Sequence, residues 1–230
     1  KSYADIRDAL SFSLPVSLHS VGGWLSNSLN RVLINSLIGV AATGSYGVGA
    51  TFGMIMTLLQ DSFNKAFAPF LFERLKYPTE ENKFKIVQVS VLMYLFIFLA
   101  AILLSCLGYY LVGFFFGQAY IETRLFIIPL VASAAIDGFY KIHVNYLFFS
   151  KKTMELAKIT FMGGVINIVL AYIMIKYWGV IGAAYSTFII QFIVYLMIVY
   201  KTFRLYDLHW KYNLGLVLKS SLLRGKSSIF

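Results

Sequence analysis

Three long runs without a charged residue constrain what this chain can fold into. No Asp, Glu, Lys or Arg occurs in the 36 residues 86–121, the 29 residues 32–60 or the 24 residues 177–200. A helix needs ~20 predominantly apolar residues to span the hydrocarbon core of a bilayer. The 230-residue chain is 59% hydrophobic and 13% charged, whereas soluble proteins carry ~25% charged residues. The sequence therefore predicts an all-α, polytopic membrane protein and excludes a soluble enzyme.

Six segments are predicted as transmembrane helices, which together form one bundle. They are residues 9–38, 44–72, 84–116, 121–149, 154–177 and 179–203. The connections between them are too short to hold a domain, so the function is expected to lie within the bilayer. The remainder, 204–230, is a basic tail that mixes five Lys and Arg residues with Leu, Trp and Tyr. Two interpretations of this tail stay open, an interfacial anchor on anionic lipid and a disordered segment.

Lys and Arg residues are distributed unequally between the two predicted sides of the membrane. With the N-terminus placed in the cytoplasm, fifteen of them fall on the cytoplasmic side, whereas only Arg124 and Lys176 fall on the other. Cytoplasmic loops of membrane proteins carry an excess of Lys and Arg. We therefore expect both termini in the cytoplasm. The net charge of +10 is then explained by membrane topology, and no nucleic-acid partner is expected.

Five charged residues inside the predicted spans are the candidate site. A charge near the bilayer centre costs ~2.5–3.5 kcal/mol on the insertion scale, so such residues usually face a partner or a water-filled cavity. The second and fourth spans share the pattern Asp-x-Phe-x-Lys, in which i, i+4 spacing favours an ion pair on one helix face. The pairs are Asp61 with Lys65 and Asp137 with Lys141, and Arg31 is the fifth residue.

Two interpretations of these charges stay open. In the first, the Asp-x-Phe-x-Lys pairs neutralise themselves and stabilise the bundle. In the second, cations line a polar cavity at different depths, with Arg31, Lys65 and Lys141 as substrate-binding residues. Asp61 and Asp137 then act as counter-ions or ion-coupling residues. Arg31 favours the cavity, because no acid lies three or four positions away from it along the helix.

The sequence contains no recognisable catalytic or cofactor motif. The HExxH zinc motif, the GxSxG nucleophile elbow and the phosphate-binding loop ending in Lys-Ser/Thr do not occur. A single cysteine, Cys106, excludes an intrachain disulfide. His19 and His143 inside the spans are interpreted either as packed groups or as proton carriers, because a lone histidine is a weak signal. We therefore predict no metal, no cofactor and no enzymatic activity.

Several stretches of the chain resemble a family of membrane transporters. They are LSFSLPVSLH (10–19), WLSNSLNR (24–31), LIG (37–39), VAATGSY (40–46), FNKAFAPFLFE (63–73), YLFFSKKT (146–153) and GVIGAAYST (179–187). In this order they are similar to the second half of polysaccharide transporters, the O-antigen and teichoic-acid flippases of the multidrug/oligosaccharidyl-lipid/polysaccharide (MOP) exporter superfamily. The resemblance extends to about residue 203.

This resemblance implies a flippase of the bacterial cytoplasmic (inner) membrane. It implies that an undecaprenyl-pyrophosphate-linked oligosaccharide crosses the bilayer by alternating access between two lobes, through a cationic cavity. Arg31 matches the family's basic position near the end of the first span, whereas Lys65 stands where the family often has a polar residue. Lys and Arg at staggered depths can bind a pyrophosphate through charge-assisted hydrogen bonds.

The chain starts at Lys1 and has six predicted spans, whereas the resemblance implies about twelve or more in two lobes. We therefore expect a chain that lacks its N-terminal lobe and whose partner is that lobe or a second protomer. Two other functions stay open. A cation-coupled multidrug exporter of the same superfamily would favour an acidic, aromatic cavity. A membrane polysaccharide polymerase or glycosyltransferase would need a large outer loop.

Overall fold

The computed structural model describes residues 3–115, 117–210 and 212–215, and every regular element among them is helical. The long helices are α1 (Tyr3–Leu37), α2 (Val40–Lys76), α3 (Glu80–Phe115), α4 (Arg124–Phe149) and α5 (Thr153–Leu205). A short 3₁₀ helix, Gln118–Thr123, precedes α4. To within a few residues, the described parts of the six predicted segments lie in these elements. The last residue of the third segment lies outside the described residues.

Helix α5 is interrupted at Gly179, where φ is 62° and ψ is −146°. This left-handed backbone conformation is one that glycine adopts without steric cost. Beyond it the chain folds back, because Lys201 Nζ lies 2.8 Å from Glu155 Oε2 near the start of the helix. α5 is therefore an antiparallel hairpin with a first arm (153–178) and a second arm (180–205). The break lies between the fifth and sixth predicted segments.

Helices α2 and α4 run parallel and pack closely. A side chain on Gly49 would lie 3.1 Å from the Phe126 ring, and Gly53 faces the Leu130 carbonyl four residues further along both helices. Small residues at such positions allow two helix backbones to approach. The same register brings Asp61 to the level of α4 where the second Asp-x-Phe-x-Lys pattern lies. Both Asp-x-Phe-x-Lys patterns therefore lie at one level of the bundle.

Helix α4 is the central helix and packs against α2, α3 and α5. Ile142, Tyr146 and Leu147 of α4 are fully buried. In contrast, the outer face of α3 exposes apolar side chains along its length, including Leu95 and Ile102. An exposed apolar face of this extent is typical of contact with lipid or another protein.

Three helical stretches in the described part of the chain are long and apolar enough to cross a membrane. They are Glu80–Phe115, Tyr120–Phe149 and Thr153–Leu205. The third stretch contains the break at Gly179, so its two arms cross separately if each one spans the bilayer. These stretches and the exposed apolar surface agree with the predicted all-α membrane protein. The count of six membrane spans stays a prediction.

Residues 206–210, here called the C-terminal strap, pack onto the bundle directly after α5. Tyr206 Oη lies 2.8 Å from Ser150 Oγ in the connection between α4 and α5. Leu208 is buried in the same core cluster as α3 and α4, and Asn213 Nδ2 donates to its carbonyl at 2.7 Å. The predicted basic tail therefore begins with a segment held by protein contacts. Residues 216–230 lie outside the described residues, so the role of that part of the tail stays a prediction.

Candidate functional site

A cavity of about 590 Å³, here called the lobe cavity, lies between α1, α2, α4 and both arms of α5. Its wall is largely apolar, and glycines such as Gly53 and Gly163 give it room. The polar side chains that line it include His19, Arg31, Asp137, Tyr140, Thr187 and Gln191. A concave, mostly apolar site with a few convergent polar groups is the usual form of a binding pocket.

Arg31 of α1 lines the lobe cavity, and no carboxylate in the described part of the chain pairs with it. Its neighbour Asn30 is fully buried and donates from Nδ2 to Thr187 Oγ1 of the second arm at 2.6 Å. This bond fixes the rotation of α1 next to Arg31. None of the ion pairs among the described residues includes Arg31. The structure thus brings Arg31 to a cavity, and its role in substrate binding stays a prediction.

Lys141 forms ion pairs with two carboxylates on different helices. Its Nζ lies 2.7 Å from Asp61 Oδ1 on α2 and 2.8 Å from Asp137 Oδ2 on α4. The Asp137–Lys141 pair is present as predicted, but the expected pairing of Asp61 with Lys65 is wrong. Parallel packing of α2 and α4 places Lys141 beside Asp61, so the ion pair forms between helices. We call these three residues the Lys141 bridge.

Two glutamines extend the Lys141 bridge to a third helix. Gln60 Nε2 of α2 donates to Asp137 Oδ2 at 3.3 Å, and Gln191 Nε2 of the second arm donates to Asp137 Oδ1 at 3.2 Å. A side chain on Gly138 would collide with Gln60, so glycine is needed there for this contact. Asp137 therefore accepts hydrogen bonds from α2, α4 and α5. The bridge has a formal charge of −1, one lysine against two aspartates.

Sequence reasoning missed both glutamines. Gln191 is the single amide side chain between Lys176 and Lys201, and Gln60 ends the charge-free run that follows Arg31. An isolated amide in an apolar segment was the available signal, because a buried amide needs hydrogen-bond partners. Spacing along one helix does not reveal which helix provides them.

Lys65 lies outside the lobe cavity on an exposed face of α2. Thr51 and Ser62 share this face, together with the apolar Ile55 and Leu58. We call Thr51, Ser62 and Lys65 the polar face of α2. A lysine within a membrane helix normally faces a cavity or a partner rather than lipid. Besides Arg31 in the lobe cavity, Lys65 on the polar face is thus a second cation that could face a partner or a substrate.

The acids and histidines of the described residues do not form a metal site. No group of three or more His, Cys, Asp and Glu side chains among them is arranged to hold a metal ion. Among its described lining residues, the lobe cavity offers the Arg31 guanidinium, the Asp137 carboxylate and the His19 imidazole. Such a cavity can bind and release charged groups through hydrogen bonds.

Residues 2–125, more than half of the chain, match the family model described as polysaccharide biosynthesis protein. The chain belongs to this family. Among curated relatives, "Lsg locus putative protein 1" of Haemophilus influenzae is 25% identical over 184 residues, which are 76% of this chain and 45% of the relative. An "uncharacterized membrane protein" of the same organism is 28% identical over 148 residues, 64% of this chain and 36% of the relative.

A solved structure shares the fold of this family member. It is the outward-facing conformation of a multidrug resistance MATE family transporter of the MOP superfamily, with a TM-score of 0.69 and 21% identity. The match covers 83% of this chain and 43% of the transporter. The predicted family is confirmed by the family model, and the predicted MOP-type fold is confirmed by this solved structure. The chain spans about half the length of the curated relatives that it matches.

Proposed function

We propose that this chain is one lobe of an exporter that moves an anionic, lipid-linked oligosaccharide across the bacterial cytoplasmic membrane. Its family and its MOP-type fold support an exporter of polysaccharide precursors rather than an enzyme. The observation that supports an anionic substrate is the position of Arg31. This residue is a cation in the lobe cavity, and no described carboxylate neutralises its charge.

The three predicted cations differ in whether their charge is available to an anionic substrate. Arg31 and Lys65 are free of ion pairs among the described residues, so their charges are available to a phosphate group. Lys141 is held by Asp61 and Asp137, and the net charge of the bridge does not attract an anion. We therefore assign substrate binding to Arg31 and Lys65. The Lys141 bridge holds the helices together and offers Asp61 and Asp137 as ion-coupling groups.

Alternating access requires a second wall opposite this lobe. The polar face of α2 supports such an arrangement, because the charge of Lys65 would be costly in contact with lipid. The MATE transporter that shares the fold is more than twice as long as the matched part of this chain. We propose that an N-terminal lobe or a second protomer faces α2, with the substrate passing between the two.

The orientation proposed for this lobe places both termini in the cytoplasm and can be tested by thiol labelling. In a Cys106→Ala background, a membrane-impermeant maleimide should label Thr79→Cys only after cells are permeabilised. Thr79 lies in the connection between α2 and α3, on the side rich in Lys and Arg. The same reagent should label Gln118→Cys in intact cells, because this residue precedes α4 at the opposite end. The reverse pattern would overturn the orientation and the direction of export.

Deletion of the gene in its own host tests the function itself. We expect lipid-linked oligosaccharide to accumulate on the cytoplasmic leaflet and surface polysaccharide to fall, with resistance to cationic drugs unchanged. Extracted lipid intermediates, surface polysaccharide and drug susceptibility are the three measurements, and re-expression of the gene is the control. Loss of drug resistance with normal polysaccharide would instead support a multidrug exporter, for which Asp137 in the lobe cavity is the favouring observation.

A further inference from the structure

His143 lies at the centre of an aromatic cluster outside the lobe cavity. It belongs to α4 and is 2% exposed. Its Nε2 is hydrogen-bonded to Tyr94 Oη of α3, and Tyr94 Oη lies 3.3 Å from Tyr195 Oη of the second arm. The rings that surround it at centroid distances of 6.0–6.2 Å are those of Tyr94, Tyr146, Tyr195, Phe203 and Trp210. We call these rings the His143 cage.

One nitrogen of this buried imidazole has no hydrogen-bond partner among the described residues. Within that part of the chain, His143 Nδ1 and Trp210 Nε1 are both buried and unpaired, although buried polar atoms are normally paired. Nε2–H can donate to Tyr94, which leaves Nδ1 as a bare acceptor. Such a nitrogen is able to take up a proton without breaking the bond to Tyr94.

Among the described residues of the cage, a proton on Nδ1 would be the only charge. The titratable groups that face the imidazole are Tyr94 from α3, Tyr146 from α4 and Tyr195 from α5. The strap contributes the neutral Trp210, and no carboxylate or ammonium group contacts the ring among the described residues. Aromatic ring faces attract a cation within ~6 Å of their centroids. The rings of the cage lie at the outer limit of this range, with centroids 6.0–6.2 Å from that of the imidazole.

We propose that His143 is a proton-binding site closed by the C-terminal strap. A proton from water on the strap side adds to Nδ1, and Nε2 keeps its own proton and its bond to Tyr94, so the ring gains one positive charge. Trp210 covers the imidazole from the strap, with its ring centre 6.2 Å from that of His143. The added charge therefore lies next to the indole, and this links proton uptake to the packing of the strap. This inference does not depend on which substrate is exported.

The fluorescence of Trp210 reports on this event. The chain has three tryptophans, so Trp24→Phe with Trp178→Phe leaves Trp210 alone. In the full chain in lipid nanodiscs, we expect one reversible emission change in a titration from about pH 3 to about pH 8, which includes the usual histidine range of about pH 5–8. The change should disappear in His143→Gln. In Tyr94→Phe its midpoint should fall by about one pH unit, because the imidazolium loses a charge-assisted hydrogen bond.

A second histidine, His209 on the strap, provides the matched control. His209 Nε2 lies 3.3 Å from Asp207 Oδ2, and its Nδ1 lies 3.6 Å from Glu80 Oε2. His209 directly precedes Trp210 in the chain and is the second imidazole near this reporter. The change should therefore persist in His209→Gln. Persistence in His143→Gln and loss in His209→Gln would overturn the proposal, as would constant emission across the range. If His143→Gln does not accumulate, an unmoved midpoint in Tyr94→Phe overturns it equally.

Discussion

Lys141→Met is expected to remove most of this protein from the membrane. The substitution leaves Asp61 and Asp137 without their shared cation, and both aspartates lie within helices. Breaking a buried ion pair by removing one partner costs about 3–5 kcal/mol. The aspartate side chains are 44% and 31% exposed in the chain, so we expect the lower end of that range. Quantitative immunoblotting of isolated membranes measures the effect.

Two further variants separate the Lys141 bridge from a general effect of losing a lysine. Lys65→Met is the matched control, because Lys65 forms no ion pair among the described residues, and its abundance should stay near wild type. The triple variant Lys141→Met, Asp61→Asn and Asp137→Asn should recover abundance. Removing all three charges costs less free energy than leaving two aspartates without a cation. A triple variant as scarce as Lys141→Met would contradict the ion-pair explanation.

Most of the fold could be predicted from the distribution of charge along the chain. The uncharged run 86–121 predicts a helix in a bilayer, because only helices and closed barrels satisfy every backbone hydrogen bond there, and α3 covers most of this run. The sequence also predicted separate segments on either side of residue 178, next to Gly179, which adopts a left-handed conformation. It did not predict that the strap packs on the bundle, because a basic tail with Leu and Trp has the same composition when it lies on lipid.

The candidate site was only partly predictable, because one sequence shows neighbours along a helix and not across helices. Asp137 and Lys141 are four residues apart, and their ion pair forms as expected. Asp61 and Lys65 have the same spacing, yet Asp61 pairs with Lys141. The choice depends on the register of α2 against α4, which small residues such as Gly53 permit. The spacing rule correctly predicted that the acids would be paired and misassigned one of the lysines.

The role of a single polar residue within a helix also depends on the side chains that contact it from other helices. The sequence left His143 open between packing and proton transfer. The structure surrounds it with rings from α3, α4, α5 and the strap. Gln191 was not singled out, yet it connects α5 to Asp137. In both cases the chemistry is set by side chains more than 45 positions away in the chain.

Arg31→Ala should lower export by about 10- to 100-fold while leaving the amount of protein in the membrane nearly unchanged. Arg31 lines the lobe cavity and pairs with no carboxylate among the described residues, so its removal costs little stability. Loss of a hydrogen bond to a charged group costs ~1.5–3 kcal/mol, which is about 10- to 100-fold in binding a phosphate. Arg31→Lys should retain part of the activity, because an ammonium keeps the charge and loses the bidentate fork.

The measurement compares surface polysaccharide with membrane abundance for each variant in cells that lack the chromosomal gene. Arg204→Ala is the matched control, since Arg204 is exposed at the end of α5, where its guanidinium lies 4.7 Å from the Tyr200 ring centre. Its export should equal that of wild type. Normal export by Arg31→Ala would contradict phosphate binding at this residue. A parallel loss of protein and export would show instead that Arg31 supports the packing of α1, because a purely binding role leaves the folded protein in place.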